Sequence, residues 1–321
     1  MKILVTGANG FVGRALCQAL AQRGHEVVGA VRHAADGRSG FAPVGEIGPE
    51  TDWGRALAGV ETVIHLAARV HVMRETSTDP LDAFRRVNLH GTERLAQAAA
   101  AAGAKRLVYV SSVKVNGEKT AGTSFSAADL PRPQDAYAIS KWEAECALHR
   151  VAAATGLEVV IVRPPLVYGP GVGGNFLRLL RLLEKGVPLP LAAVHNRRSM
   201  IFLGNLVDAL IVGATRAAAA GQTYLVSDGE GVSTPQLLAS LAGAMGRPAR
   251  IFPVSPALLR IAAGLVGRSA DIGRLLDSLT VDDAKIRREL RWAPPYSMAQ
   301  GLQETVAWYM SSCRRRSASL R

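Results

Sequence analysis

The stretch Lys2-Ile3-Leu4-Val5-Thr6-Gly7-Ala8-Asn9-Gly10-Phe11-Val12-Gly13 decides the fold. Lys2 to Thr6 is a short apolar run of the kind that forms a buried strand. Phe11, Val12, Ala15, Leu16, Ala19 and Leu20 then recur at helical spacing until Gly24 stops the helix. The three glycines at the junction have separate uses. Gly7 permits the tight turn, Gly10 lets a pyrophosphate approach the backbone, and Gly13 lets helix pack closely on strand. The helix N-terminus adds free N–H groups and the positive end of its dipole. A glycine-rich match is weak alone, but between a strand and a helix it is specific. Gly7, Asn9, Gly10, Phe11, Val12 and Gly13 are therefore candidate dinucleotide contacts.

Further strands fit Glu26 to Val31, Pro43 to Ile47, Glu61 to Leu66, Arg106 to Val110 and Glu158 to Arg163. Helices fit Asp52 to Ala58, Pro80 to Ala102 and Asp135 to Thr155. Continuous apolar strands alternating with helices imply a parallel sheet covered on both faces. The expectation is an α/β protein with a doubly wound Rossmann domain over residues 1–165. A smaller mixed α/β substrate domain is expected over 166–312, with some of its segments returning to the first, and a basic tail over 313–321. Beyond Pro164, proline and glycine cluster, and helices are expected at Phe176 to Lys185, Leu203 to Ala217, Thr234 to Met245, Val281 to Leu290 and Met298 to Ser311.

Of the 321 residues, 48% are hydrophobic, 20% charged and 5% aromatic, which excludes disorder for most of the chain. No apolar run reaches the ~18 residues of a membrane span; the most apolar, Leu258 to Val266, is interrupted by Arg260. The N-terminus has no long apolar segment before a cleavage site, so a cytoplasmic, soluble protein is expected. Cys17, Cys146 and Cys313 are far apart, and the seven histidines do not cluster, so neither a disulfide nor a metal is expected. The net charge of +12 points to a polyanionic partner, although Arg314, Arg315, Arg316 and Arg321 concentrate part of it in an acid-free tail. With no aromatic-plus-basic signature and no helix-turn-helix pattern, that partner is expected to be a phosphate-bearing small molecule, not nucleic acid.

At the end of the second strand, Val27-Val28-Gly29-Ala30-Val31-Arg32-His33 contains no acid, and none follows until Asp36. NAD sites place an Asp or Glu there for the ribose. Arg32, with Arg38 as a second candidate, suits a 2′-phosphate, so NADP is expected over NAD. The open alternative is an NAD enzyme in which Arg32 is a solvated residue stacking on adenine. Tyr137 and Lys141 in Tyr137-Ala138-Ile139-Ser140-Lys141 share a helix face. A neighbouring ammonium, with a cationic nicotinamide when the cofactor is oxidised, would lower the tyrosine pKa, letting the phenol trade protons with a carbinol or ketone oxygen. Val108-Tyr109-Val110-Ser111-Ser112 brings hydroxyls to the carboxyl edge of the sheet.

Together with His65-Leu66-Ala67-Ala68, Asn88, Val115-Asn116-Gly117 and Arg163-Pro164-Pro165-Leu166-Val167-Tyr168-Gly169-Pro170, these motifs resemble the extended short-chain dehydrogenase/reductases. More narrowly they resemble the NAD-dependent epimerase/dehydratase group acting on nucleotide sugars. The resemblance runs over roughly residues 1 to 310 and implies a Ser112–Tyr137–Lys141 triad. It also implies cofactor contacts from Glu46, Ile47, Leu66, Ala67, Ala68, Asn88 and Pro164, besides Arg32 and the triad's own Tyr137 and Lys141. On the sugar-nucleotide side it implies Ser111, Asn175, Arg198 (or Arg197) and a uracil pocket from Leu189 to Ala192. His71 and Lys114 are open between facing the substrate and a structural role. Asn116 departs from the family's usual tyrosine.

Dehydratases of the group carry Asp-Glu where this chain has Val113 and Lys114, so a dehydratase is not expected. The subgroup resembled includes bacterial UDP-sugar 4-epimerases and 4-ketoreductases that form UDP-N-acetylquinovosamine for surface polysaccharide. The leading expectation is a reductase of a UDP-4-keto-6-deoxy-N-acetylhexosamine, because Arg32 suits an exchangeable NADPH. The rival is a UDP-glucose or UDP-N-acetylglucosamine 4-epimerase. A non-catalytic dinucleotide sensor is disfavoured by the complete triad, and a steroid or flavonoid ketoreductase by the basic residues of the second half. The family also implies a homodimer formed through the two long helices Pro80 to Ala102 and Asp135 to Thr155.

Overall fold

A computed structural model of the chain describes residues 1–33, 40–70, 79–265 and 269–318. Asp36, Arg38, His71 and Arg321 lie outside the described residues. β1 (Lys2–Thr6) leads into α1 (Phe11–Gln22), β2 (Glu26–Val31), β3 (Phe41–Pro43) and β4 (Thr62–His65). α2 (Pro80–Arg85) and α3 (Gly91–Ala101) follow, joined by a π-turn at Arg86–His90. Next come β5 (Arg106–Val110), a 3₁₀ turn at Val113–Val115, α4 (Ala136–Thr155) and β6 (Glu158–Arg163). The second half holds β7 (Leu166–Tyr168), α5 (Gly174–Glu184), β8 (Arg198–Phe202), α6 (Leu203–Thr215), β9 (Thr223–Leu225) and β10 (Gly231–Val232). It ends with α7 (Thr234–Ala244), α8 (Pro256–Leu265), α9 (Ser269–Leu276), α10 (Ala284–Leu290) and α11 (Met298–Ala318).

The large sheet is seven-stranded, in the order β3-β2-β1-β4-β5-β6-β9, and its strand pairs are parallel. Side-chain alternation along β1 explains why both faces are covered. Ile3 and Val5 join Leu16 and Leu20 of α1 and Leu206 and Leu210 of α6. Leu4 points the other way, into a core with Trp53, Leu95 of α3, Tyr109 and Leu148 of α4. Chain direction across the sheet reverses between β1 and β4, the switch point outside whose carboxyl ends open α/β sheets bind ligands. A third core, around Tyr168, Phe176, Phe202, Leu241 and Leu302, supports the three-stranded sheet β10-β8-β7.

The second half returns to the large sheet through β9, which pairs with β6, and through α6. Arg106 fastens α6 there. Its guanidinium donates to the carbonyls of Gly213, Ala214 and Arg216 at the helix C-terminus and to Glu158, matching a cation to the negative end of the dipole.

Several elements differ from the sequence expectation. The third strand is Phe41–Pro43, not Pro43 to Ile47, because Gly29 leaves room for the Phe41 ring and Gly45 turns the chain at φ +69°. Asp52 to Ala58 forms a turn around the fully buried Trp53 instead of a helix, and Gly59 ends it. The helix expected from Val281 begins at Ala284, since Val281 is used to bridge Phe125. α8 and α9 lie where no helix is expected from the sequence. No helix among the described residues is long and apolar enough to cross a membrane.

Candidate active site

Two loops meet at the switch point. Gly7 sits at φ +65°, and a Cβ there would lie 3.1 Å from the Ala67 nitrogen. A Cβ on Gly13 would lie 2.1 Å from the Gly7 carbonyl oxygen. Gly10 is the N-cap of α1 and offers no side-chain cap, which leaves the first N–H groups of the helix free. The Thr6 hydroxyl fixes the neighbouring loop. It accepts hydrogen bonds from the N–H groups of Leu66 and Ala67, each at 3.1 Å. Its own proton therefore goes to Nδ1 of His65, 2.6 Å away. Nε2 of His65 then carries the ring proton and donates it to Thr92 Oγ1 at 2.9 Å. Burial pushes this histidine down to about 3, assisted by the Lys141 charge, so it is neutral.

Asp135 starts α4 by accepting from the N–H of Ala138 at 2.7 Å. That start places Tyr137 in the first turn and Lys141 one turn further on. Ser112 follows β5 and caps the 3₁₀ turn through the N–H of Lys114. Ser112 and Tyr137 are hydrogen-bonded to each other. Lys141 is 2% exposed; its Nζ donates to the Val110 carbonyl at 2.8 Å and lies 4.4 Å from the Tyr109 ring centre. The Phe84 ring meets Tyr137 edge-on at 6.2 Å, and the guanidinium of Arg69 lies over Phe84 at 5.5 Å.

The acidification of Tyr137 by Lys141 expected from the sequence is not found. Burial raises Tyr137 to about 12, Asp135 adds to the rise, and the Ser112 hydrogen bond opposes it. Lys141 moves the other way, down to about 7, because burial removes water from its ammonium while Glu145 partly restores it. Near neutral pH, Tyr137 is a proton donor beside a lysine close to its midpoint.

Asn88 lies in the π-turn and is 1% exposed. Its amide donates to the Arg69 carbonyl and to Ser140 Oγ, each at 3.0 Å, and accepts from the Arg69 N–H. It thus ties the loop after β4 to α4 between Tyr137 and Lys141, with both amide protons engaged within the protein. The Pro164 carbonyl accepts from the N–H of Val113. Asn9, Arg32 and Glu46 are exposed, while Ile47 packs against α3 at Gly91.

Ser111 is buried beside Ser112, and its Oγ has no hydrogen-bond partner among the described residues. Asn175 is exposed in the first turn of α5. Leu189 is packed in the third core, its N–H and carbonyl taken by Arg250 and Phe252. Arg198 donates to the Asp277 carbonyl at 2.9 Å. Burial lowers its pKa, with Asp277, Glu118 and Arg274 as the charges acting on it. Lys114 is held by Glu118 at 2.7 Å and Asp135 at 2.6 Å. Sequence reasoning did not place Phe84 against the Tyr137 ring or Arg69 over Phe84; no local pattern marks them. Asp135 carried a usable signal, a helix-capping residue directly before the periodic run.

The glycine cradle that any Cβ would fill, beside uncapped N–H groups, fits a dinucleotide pyrophosphate. Residues 3–227 match the model of the NAD dependent epimerase/dehydratase family. The chain belongs to that family. A UDP-glucose 4-epimerase of Vibrio cholerae is 40% identical over 98% of this chain and 97% of its own. A UDP-glucose 4-epimerase of Mycolicibacterium smegmatis is 31% identical over 96% and 98%. Among solved structures, MoeE5 in complex with UDP-glucose and NAD is similar, with a TM-score of 0.78, 27% identity and coverage of 98% of this chain and 100% of that one. The NADP preference expected from Arg32 finds no support in this neighbour, which holds NAD. As a member of the NAD dependent epimerase/dehydratase family, the protein is an enzyme.

Proposed function

We propose that the enzyme carries out NAD-dependent oxidoreduction at C4 of a UDP-linked hexose, run as reduction of a 4-keto-6-deoxy-N-acetylhexosamine. The observation that carries this reading is the Tyr137 phenol, hydrogen-bonded to Ser112 and kept protonated, at the same carboxyl edge of the sheet as the glycine cradle. The dinucleotide supplies the hydride-transfer chemistry when bound. Gly7, Gly10 and Gly13, with the free N–H groups of α1, would hold its pyrophosphate, and Lys141 its nicotinamide ribose. We take NAD as the cofactor.

Ser112 donates a hydrogen bond to the sugar carbonyl oxygen and polarises it. Tyr137 gives its proton to the oxygen as negative charge develops there. The Lys141 ammonium stabilises the phenolate left when the proton has gone. Arg198, or Arg197 beside it, supplies a cation for the diphosphate, with Asn175 and Ser111 nearer the sugar. Dehydration would need a carboxylate pair after Ser112; Val113 is buried there and Lys114 is paired away. We read the two long helical segments α2–α3 and α4 as the seam of a homodimer.

A 4-epimerase is the second reading, favoured by the Vibrio cholerae relative. One experiment separates them. Supplied with UDP-4-keto-6-deoxy-N-acetylhexosamine and NADH or NADPH, a reductase consumes sugar and cofactor one for one. Interconversion of UDP-glucose or UDP-N-acetylglucosamine with its 4-epimer, without cofactor turnover and with the keto sugar untouched, would establish the epimerase instead.

A further inference from the structure

Tyr137, Lys141 and Glu145 are spaced four residues apart on α4 and therefore lie along one face. Glu145 is buried, and its carboxylate is gripped from β6 by Arg163. Arg163 Nε donates to Oε1 at 3.0 Å and Nη2 to Oε2 at 2.5 Å, with side-chain exposures of 4% and 1%. The remaining arm of Arg163 donates to Oδ1 of Asn116 at 3.1 Å, and Asn116 Nδ2 donates to the Ser126 carbonyl at 2.8 Å. Asn116 directly follows the 3₁₀ turn that Ser112 caps. One buried polar chain thus joins the helix carrying Tyr137 and Lys141 to the turn carrying Ser112.

A buried ion pair is a poor source of stability, because desolvation offsets most of the attraction and a well-packed apolar pair does as well or better. Its presence here calls for another use. We propose that Glu145, Arg163 and Asn116 form a buried positioning unit that sets both the alignment and the charge state of the Ser112–Tyr137–Lys141 set; this rests on the oxidoreductase reading above. Alignment follows from the bidentate grip, whose planar geometry fixes the rotation of α4 relative to β6. The asparagine arm extends that grip to the serine turn, which gives the departure at Asn116 a role.

Charge follows from position. Around Lys141, β5 presents the Val110 carbonyl and the Tyr109 ring, β4 presents the neutral His65, and α4 presents Tyr137 and Glu145. Glu145 is the negative charge that holds the ammonium against burial. Arg163 keeps that carboxylate in place while opposing part of its field. Removing the Glu145 charge should therefore lower the Lys141 midpoint further and leave the lysine neutral at working pH.

The test is a titration that needs no substrate. The Cε resonance of Lys141 in protein labelled with ¹³C-lysine, identified by its loss in K141Q, is followed against pH in wild type and E145Q. The midpoint, about 7 in wild type, should fall by about one unit in E145Q. The high-pH limb of kcat/KM should fall with it, while KM for the sugar nucleotide changes less than twofold and E145D restores most of the limb. N116A, which keeps the ion pair, should lower kcat several-fold without moving the midpoint. If E145Q does not fold, E145Q/R163Q removes both charges together and should show a smaller shift in the same direction. An unchanged Lys141 midpoint in either folded variant overturns the proposal. A shifted midpoint in a protein that turns over no UDP-sugar supports the unit and rejects the oxidoreductase reading alone.

Discussion

Thr6 and His65 face each other in register on β1 and β4, joined by a 2.6 Å hydrogen bond across 59 residues of sequence. The bond does more than pair two strands. The same hydroxyl satisfies two N–H groups of the loop after β4, so the glycine loop and the 66–67 loop are held as one surface. The neutral imidazole donates its Nε2–H hydrogen bond to Thr92, which fastens α3 beneath that surface.

This histidine makes the fold acid-sensitive. Its pKa falls from 6.5 to about 3 on folding, so below its unfolded value the unfolded chain binds a proton that the folded protein refuses. Its contribution is full above pH 6.5 and is lost as the pH falls towards about 3. Thermal unfolding of wild type should show Tm dropping between about pH 6.5 and pH 5, before most carboxylates titrate. H65Q should be less stable at neutral pH but flatter over that interval; equal slopes would remove His65 from the explanation.

Gly13→Ala places a methyl carbon 2.1 Å from the Gly7 carbonyl oxygen, and the obstacle is backbone that cannot swing aside. The loop must open to accept it. Dinucleotide affinity measured by calorimetry should fall at least about tenfold, that is ~1.4 kcal/mol, with a lowered Tm. Wild-type affinity in G13A would mean that the cradle does not hold the pyrophosphate.

Tyr137→Phe removes the proton donor and keeps the ring against Phe84. Loss of a general acid typically costs ~10²–10⁴-fold in rate. kcat should fall by that order while cofactor binding persists. A variant retaining more than about half the rate would transfer the proton to another group.

Arg32→Asp offers the ribose an acceptor at the exposed end of β2 and repels a 2′-phosphate. The ratio of NAD to NADP affinity should rise, by roughly tenfold or more for one charge-assisted contact exchanged for a repulsion. Titration of both dinucleotides into both proteins measures it. An unchanged ratio would leave Arg32 as a solvated residue with no part in cofactor choice.

The division between sequence and tertiary structure runs along the range of the forces involved. Short-range rules suffice for the glycine loop, since a turn at φ +65° and a helix that starts without a side-chain cap are properties of neighbouring residues. They suffice also for the shared face of Tyr137 and Lys141, which helical periodicity dictates, and for the absence of a carboxylate pair after Ser112. Strand boundaries were legible where apolar runs were long. They failed at β3, where a partner strand's missing Cβ at Gly29 makes room for Phe41.

Only the folded molecule decides the chemistry of those residues. Proximity of Lys141 implies an acidified Tyr137 if the pair stands in water. Packing against β5 takes the water away, and desolvation then raises the phenol to about 12 and lowers the ammonium to about 7. Asn88 spends its amide protons on the Arg69 carbonyl and Ser140, partners that no local pattern announces. Glu145 meets Arg163 because β6 lies under α4, and Thr6 meets His65 because β1 lies beside β4. Sequence alone set which groups are available; burial and the partners brought in from distant strands set their charge, because the energy of an ion depends on everything within a few ångströms and the chain order says little about what that will be.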